Sequence, residues 1–326
     1  MKERTALRST IHSLDWLRGL ASVMVCLFHV KKYVYETESP NFFLRACMEG
    51  YLGVYIFFVI SGFVIPYSMF TNNYQTKNFF KYLLKRTIRI EPPYIIFIGL
   101  LFLWNLFLFH WKDWGSPYLF SFSDFTLNVT YLVPFFKKRW ILVIFWTLAV
   151  EFQFYILTGL VFEWYMKNKW VRYAAIVLFI LLGKIIPASY QTVFNNYAYF
   201  AIGFQAFMYF TRNISLPEFL ITVVLLLTYI GCFEFIIVIP FLIITLLAIF
   251  FLNIKTKISS FFGKISYSLY LTHGLAGGAV AVFTVVRIPD HWRMILAIFT
   301  SIVFAFIYYL LVEKWFLKWS KRVRYD

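Results

Sequence analysis

From residue 14 to residue 313 the chain is laid out as apolar stretches of about twenty residues, each long enough to cross a bilayer as a helix. They fall at roughly 14–34, 51–71, 91–111, 141–165, 171–187, 193–211, 215–232, 235–253, 262–286 and 293–313. Of the 326 residues 61% are hydrophobic and 14% charged, whereas a soluble domain is nearer half apolar and a quarter charged. The fold class is therefore an all-α polytopic membrane protein with about ten transmembrane helices. An even number of crossings puts both termini on one side. With the termini cytoplasmic, Lys and Arg divide roughly two to one in favour of the inner side, as the positive-inside rule requires. One integral-membrane domain, 1–326, follows: a cytoplasmic N-terminus (1–13), a ten-helix bundle (14–313) and a basic cytoplasmic tail (314–326).

Topology also accounts for the formal charge of +16, which would otherwise suggest nucleic acid. A cleavable signal peptide is not expected, because the first span follows a basic, polar dozen residues and no small-residue cleavage site lies behind it. Cys26, Cys47 and Cys232 are scattered without metal-ligand spacing and read as packing residues.

The first span is the least ordinary. Arg18 stands near one end and His29 near the other, with Asp15 one turn before the arginine. Eleven residues at about 100° each bring Arg18 and His29 to one helix face, separated by about 16 Å of axis. Ionisable groups at such depth usually face a protein interior or a water-filled cavity. The plainer readings are an Arg18 that snorkels to head groups and a His29 that is the last residue before water. The aligned pair favours a polar track.

Other segments add to that track. Ser61 and Gly62 in the second span are small enough for a helix or a ligand to approach the backbone, and Pro66 loosens the helix beyond them. Lys77, Lys81 and Lys85 recur every four residues and predict a short amphipathic helix on the inner surface. Arg86 and Arg89, one turn apart at the start of the third span, carry guanidinium forks that suit phosphate better than simple anchoring. Residues 112–140 form a long outer segment ending in Lys137-Lys138-Arg139, an interfacial anchor or a contact for an acidic lipid-linked substrate; 118–136 may be read as entering the membrane. Glu151 is a carboxylate inside an apolar run with Gln153 and Tyr155 nearby. It requires a partner, by expectation an arginine or histidine, and serves either as a structural ion-pair member or as an orienter of the reactive group. His273 is the second histidine within a span; a lone membrane histidine is more often hydrogen-bonded structure than a catalyst.

Five motifs in order, across about 260 residues, resemble the membrane-bound acyltransferase type 3 family. They are Arg18 and His29 with ten residues between them, Phe57 to Phe63, Arg86 with Arg89, Trp146 to Tyr155 with Thr147 at the family's serine, and Ile265 to His273. The resemblance implies a multi-pass O-acyltransferase of the inner (plasma) membrane. It would move an acyl group, most often acetyl, from cytosolic acyl-CoA to a hydroxyl of a cell-surface glycan, its lipid-linked precursor or a similar acceptor. Some members carry a C-terminal SGNH hydrolase-like domain, and a stand-alone transferase is expected here.

The residues agree with that chemistry. Coenzyme A is a polyanion, and Arg86 and Arg89 lie on the inner face where it arrives; Ser61 is placed with them in the donor site. A hydroxyl attacking a thioester needs a general base, and His29 is the expected one because imidazole titrates near physiological pH. Arg18 and Glu151 complete the expected catalytic set. No metal is implied, since no ligand cluster has suitable spacing. Two other classes remain. A proton-coupled or anion carrier could use Arg18, His29, Glu151 and His273, although no inverted repeat or pair of broken helices supports it. A structural protein of polysaccharide export would not need a buried Arg–His pair.

Overall fold

The computed structural model describes residues 12–35, 41–112, 121–252, 255–284 and 288–324, and among them helix is the only regular structure. Ten helices fall on the ten expected apolar stretches: α1 (His12–Val34), α3 (Gly53–Thr71), α4 (Phe79–Lys112), α6 (Phe145–Lys167), α7 (Lys169–Ile185), α8 (Tyr197–Phe210), α9 (Leu216–Phe233), α10 (Ile239–Phe251), α11 (Lys257–Thr284) and α12 (Asp290–Tyr308). Shorter helices α2 (Phe42–Met48), α5 (Phe122–Val129) and α13 (Lys314–Ser320) extend or join them. Among the described residues six segments are both long and apolar enough to cross a membrane: His12–Val34, Phe42–Thr71, Thr76–His110, Phe145–Lys167, Leu216–Phe233 and Asp290–Ser320. The others coincide with expected spans in position, but α7, α8 and α10 are short, and Ser, Thr, Gly and Lys dilute α11.

Two close crossings hold the bundle together, and small residues make both possible. Where α1 meets α11, a Cβ on Gly19 would stand 2.7 Å from the Cβ of Phe262, and one on Gly263 would stand 2.6 Å from that of Asp15. Where α3 meets α8, a Cβ on Gly62 would run into the Phe200 carbonyl, and one on Gly203 into that of Val59. The sequence reading of Ser61-Gly62 as a close-approach point is thus met by α8. Aromatic rings fill the space beside it: Phe154 stacks on Phe200 at 4.1 Å by centroid, and Phe58 lies tilted to Phe200 at 4.7 Å.

The outer faces of α7 and α9 present Val177, Leu178, Leu181, Ile221, Val224 and Leu225 to the surroundings, as lipid-facing helices do. Cys26 and Cys47 are buried as packing residues, but Cys232, on α9, is exposed.

Two expectations change. Lys77, Lys81 and Lys85 are not on a separate surface helix. From Phe79 the chain runs as a single 34-residue helix, about 51 Å long and well beyond the hydrocarbon thickness. Pro92 and Pro93 sit inside it. Proline carries no backbone donor, so the Ile88 and Arg89 carbonyls lose their usual helical partners, yet the helix runs on, and two tyrosines of other helices bond carbonyls of the same stretch. The Tyr267 hydroxyl donates to the Ile90 carbonyl at 2.9 Å, and the Tyr308 hydroxyl donates to that of Pro93. The second change concerns 118–136. Residues 113–120 lie outside the described residues, and beyond them α5 has only eight residues, closed at its start by a Ser121–Asp124 capping box. That is too short to cross, so any entry of this stretch into the membrane is partial.

Candidate active site

A cavity of about 340 Å³ opens between α1, α3, α4, α6, α11 and the last helix. Its wall includes Arg18, Ser61, Arg86, Arg89 and Glu151, so tertiary packing brings together five residues drawn from four separate helices. Asp15, Lys264, Glu313 and Lys321 add further charges.

The arginines are held without salt bridges. Arg86 is buried on α4 with its guanidinium carbon 5.6 Å from the Tyr82 ring and 5.5 Å from the Tyr155 ring. Its Nε is buried with no hydrogen-bond partner. Arg89 follows one turn later, and Arg18 faces both from α1, within electrostatic reach of Arg89, Glu151 and Asp15. Among the described residues no ion pair joins any of the three to a carboxylate. Of the three neighbouring guanidiniums Arg86 is buried with an orphaned donor, while Arg18 and Arg89 are half-buried beside it, so the wall presents donors of the kind an oxyanion accepts from.

Glu151 differs from expectation. Its Oε1 accepts from the Ser61 hydroxyl at 2.7 Å and from the Tyr155 hydroxyl at 2.8 Å. The direct partners are hydroxyls, and Arg18 acts on it only through space. Glu313 repeats the arrangement on the opposite wall, accepting from the Ser268 hydroxyl at 2.5 Å and the Ser268 amide at 3.2 Å. It ends a π-helical turn, Tyr309–Glu313, a distortion frequent at functional sites. Sequence reasoning passed over Glu313 because it stands at the edge of the last apolar stretch, where an acidic residue looks like the return to water. A carboxylate two residues after Leu311 was the available signal.

His29 is not part of this wall. Its Nδ1 lies 3.0 Å from the Val25 carbonyl and 3.1 Å from Nε2 of His273. Nδ1 of His273 lies in turn 2.9 Å from the Leu269 carbonyl. His273 is wholly buried, while His29 is half-buried. Tyr270 stands between the two parts. It lines the cavity, its ring centroid is 6.2 Å from that of His273 and 5.6 Å from that of Phe57, and its hydroxyl meets Thr147 Oγ1 at 2.5 Å. One layer of side chains therefore separates the basic cavity from the histidine pair.

These features define a helical membrane protein with a cationic internal cavity adjoining a pair of imidazoles, one buried and one half-buried. The Acyltransferase domain family model (type 3) matches residues 11–310, and the chain belongs to that family. It is an acyltransferase. A putative acetyltransferase of Acidianus two-tailed virus is 26% identical over 300 residues, covering 84% of this chain and 85% of the viral protein. The peptidoglycan O-acetyltransferase OatA of Listeria monocytogenes is 25% identical over 57% of this chain, and the O-acetyltransferase OatA of Staphylococcus aureus 26% over the same share. The chain matches only 29% and 31% of the length of those two OatA proteins. No solved structure matches it.

Proposed function

We propose that the protein is an O-acetyltransferase of the plasma (inner) membrane that takes its acyl group from cytosolic acyl-CoA and delivers it to a hydroxyl of a cell-surface glycan or its lipid-linked precursor. The reading takes the chain as one domain, 1–326, with ten crossings and both termini cytoplasmic. The observation that carries it is the wall of three unpaired guanidiniums, with Arg86 and Arg89 at the basic, inner end of α4. Phosphates of coenzyme A satisfy that wall, since each planar fork can grip an oxyanion by two donors. Ser61 and Glu151 fix the floor of the site, and Arg18 links it to α1.

The thioester then has to pass the side-chain layer at Tyr270 to reach His29, about 16 Å along the α1 axis from Arg18, a distance suited to an extended pantetheine arm. The acceptor hydroxyl gives its proton to His29 Nε2 as its oxygen bonds to the acyl carbon. The carbon–sulfur bond breaks, and the proton passes on to the thiolate, leaving an ester and free coenzyme A.

The test is incubation of purified protein in lipid nanodiscs with radiolabelled acetyl-CoA and candidate glycans. Label transferred to glycan, lost in Arg86→Ala and Arg89→Ala together with acetyl-CoA binding, is the expected result. Normal acetyl-CoA binding by both variants would make these residues topological anchors. Uptake of label into liposomes without transfer would make the protein a carrier.

A further inference from the structure

We propose that His273 is a positioning residue that orients His29 and fixes which of its nitrogens is free to take a proton. The inference rests on the reading of His29 as base and extends it to a residue on a different helix, 244 positions away.

The argument is one of donors and acceptors. A carbonyl oxygen only accepts, and a neutral imidazole has one N–H and one lone pair. His273 Nδ1, 2.9 Å from the Leu269 carbonyl, therefore carries the proton, and its Nε2 carries the lone pair. That lone pair faces His29 Nδ1 at 3.1 Å. His29 Nδ1 also lies 3.0 Å from the Val25 carbonyl. Both neighbours of that nitrogen are acceptors, so the His29 proton sits on Nδ1 and is shared between them. His29 Nε2 is left as the basic atom. When Nε2 takes a proton the ring becomes a cation, and its Nδ1–H then donates to His273 Nε2 as a charge-assisted bond, which is stronger than the neutral one. The Leu269 carbonyl holds His273 in the form able to accept. A neutral imidazole thus fills the place that a carboxylate takes in a hydrolase triad, orienting the base and supporting the imidazolium.

The geometry is buttressed from α12. Ser301, fully buried, donates to the Ala297 carbonyl at 2.7 Å and lies 3.5 Å from the His273 carbonyl. Gly277, one turn after His273, admits this close approach, since a Cβ there would stand 2.9 Å from Val30 and 3.0 Å from Ser301 Oγ. α1, α11 and α12 are thereby locked in the register that faces the two imidazoles.

The experiment compares His273→Asn, His273→Gln and His29→Gln in the full chain in nanodiscs, reading acetyl transfer and acetyl-CoA binding separately. Asn keeps a donor for Leu269 but falls short of His29, so its kcat is expected to drop about 10–100-fold with KM for acetyl-CoA unchanged. Gln reaches His29 with an amide oxygen and is expected to recover most of that loss. In the His29→Gln background His273→Asn should cost little more, because it acts through His29. Asn and Gln variants impaired equally, or an Asn variant with near wild-type turnover, overturn the positioning role while leaving the base intact. A His29→Gln variant that retains turnover instead removes the base assignment on which this inference stands.

Discussion

At the Arg18 end of α1 the protein gathers three guanidiniums and three carboxylates around a cavity, whereas at the His29 end, about 16 Å further along, it gathers two imidazoles that meet helix carbonyls. The same helix supplies a residue to each. The first region is marked by what it lacks: its arginines make no ion pair among the described residues, and two of its carboxylates, Glu151 and Glu313, accept instead from Ser61, Tyr155 and Ser268 hydroxyls. The second is fully committed, every Nδ1 having an acceptor. A region left unsatisfied is suited to binding, because a ligand is needed to complete it. A region with its protons already assigned is suited to proton transfer, because little has to reorganise as charge develops.

That contrast can be broken by mutation. The largest effect is expected at His29: in His29→Gln, acetyl transfer should fall by about 10²–10⁴ while acetyl-CoA binding persists, as loss of a proton acceptor dictates. A few-fold loss, with His273→Gln inactive, would move the base to α11. Next come Arg86→Ala and Arg89→Ala, each removing a charge-assisted bond worth about 1.5–3 kcal/mol, or roughly 10–100-fold in acetyl-CoA affinity by equilibrium dialysis. Lysine should recover only part of this, since it loses the fork.

Glu151 sharpens the comparison through its sign. Glu151→Gln retains an acceptor for Ser61 or Tyr155 but removes a negative charge from the cationic wall, so acetyl-CoA should bind as tightly as before or more tightly, opposite to the arginine variants. Glu151→Ala strands both hydroxyls and should cost about 1–3 kcal/mol of stability, read as a lower thermal midpoint in detergent. The smallest effect belongs to Lys77, exposed just before α4, where Lys77→Ala should leave binding and turnover unchanged. A clear loss there would extend the donor site onto the membrane surface.

Apolar stretch length and the chemistry of single residues made much of this legible before any coordinates. Helices lie where the apolar stretches predicted them, because a chain in hydrocarbon must close its own hydrogen bonds, and six segments among the described residues are long and apolar enough to cross. The Arg86–Arg89 spacing identified neighbours on one turn, both lining the cavity with Arg18, whereas the expected single polar track divides, His29 meeting His273 outside that wall. The expected short surface helix before residue 91 is instead the first part of a 34-residue helix that runs on through Pro92 and Pro93, where hydroxyls of Tyr267 and Tyr308 from distant helices bond the Ile90 and Pro93 carbonyls.

Partners across the bundle were decided only by tertiary structure. An apolar sequence records that Glu151 needs a donor, but whether the donor is an arginine or the Ser61 and Tyr155 hydroxyls depends on which helices cross there. Gly62 and Gly203 set one such crossing by letting α3 and α8 touch at the backbone. Gly19 and Gly263 set the other, laying α11 against α1 and bringing His273 to His29. Periodicity describes one helix at a time, whereas the register between helices comes from close packing of side chains distant in sequence, and this is where the imidazole pair arises.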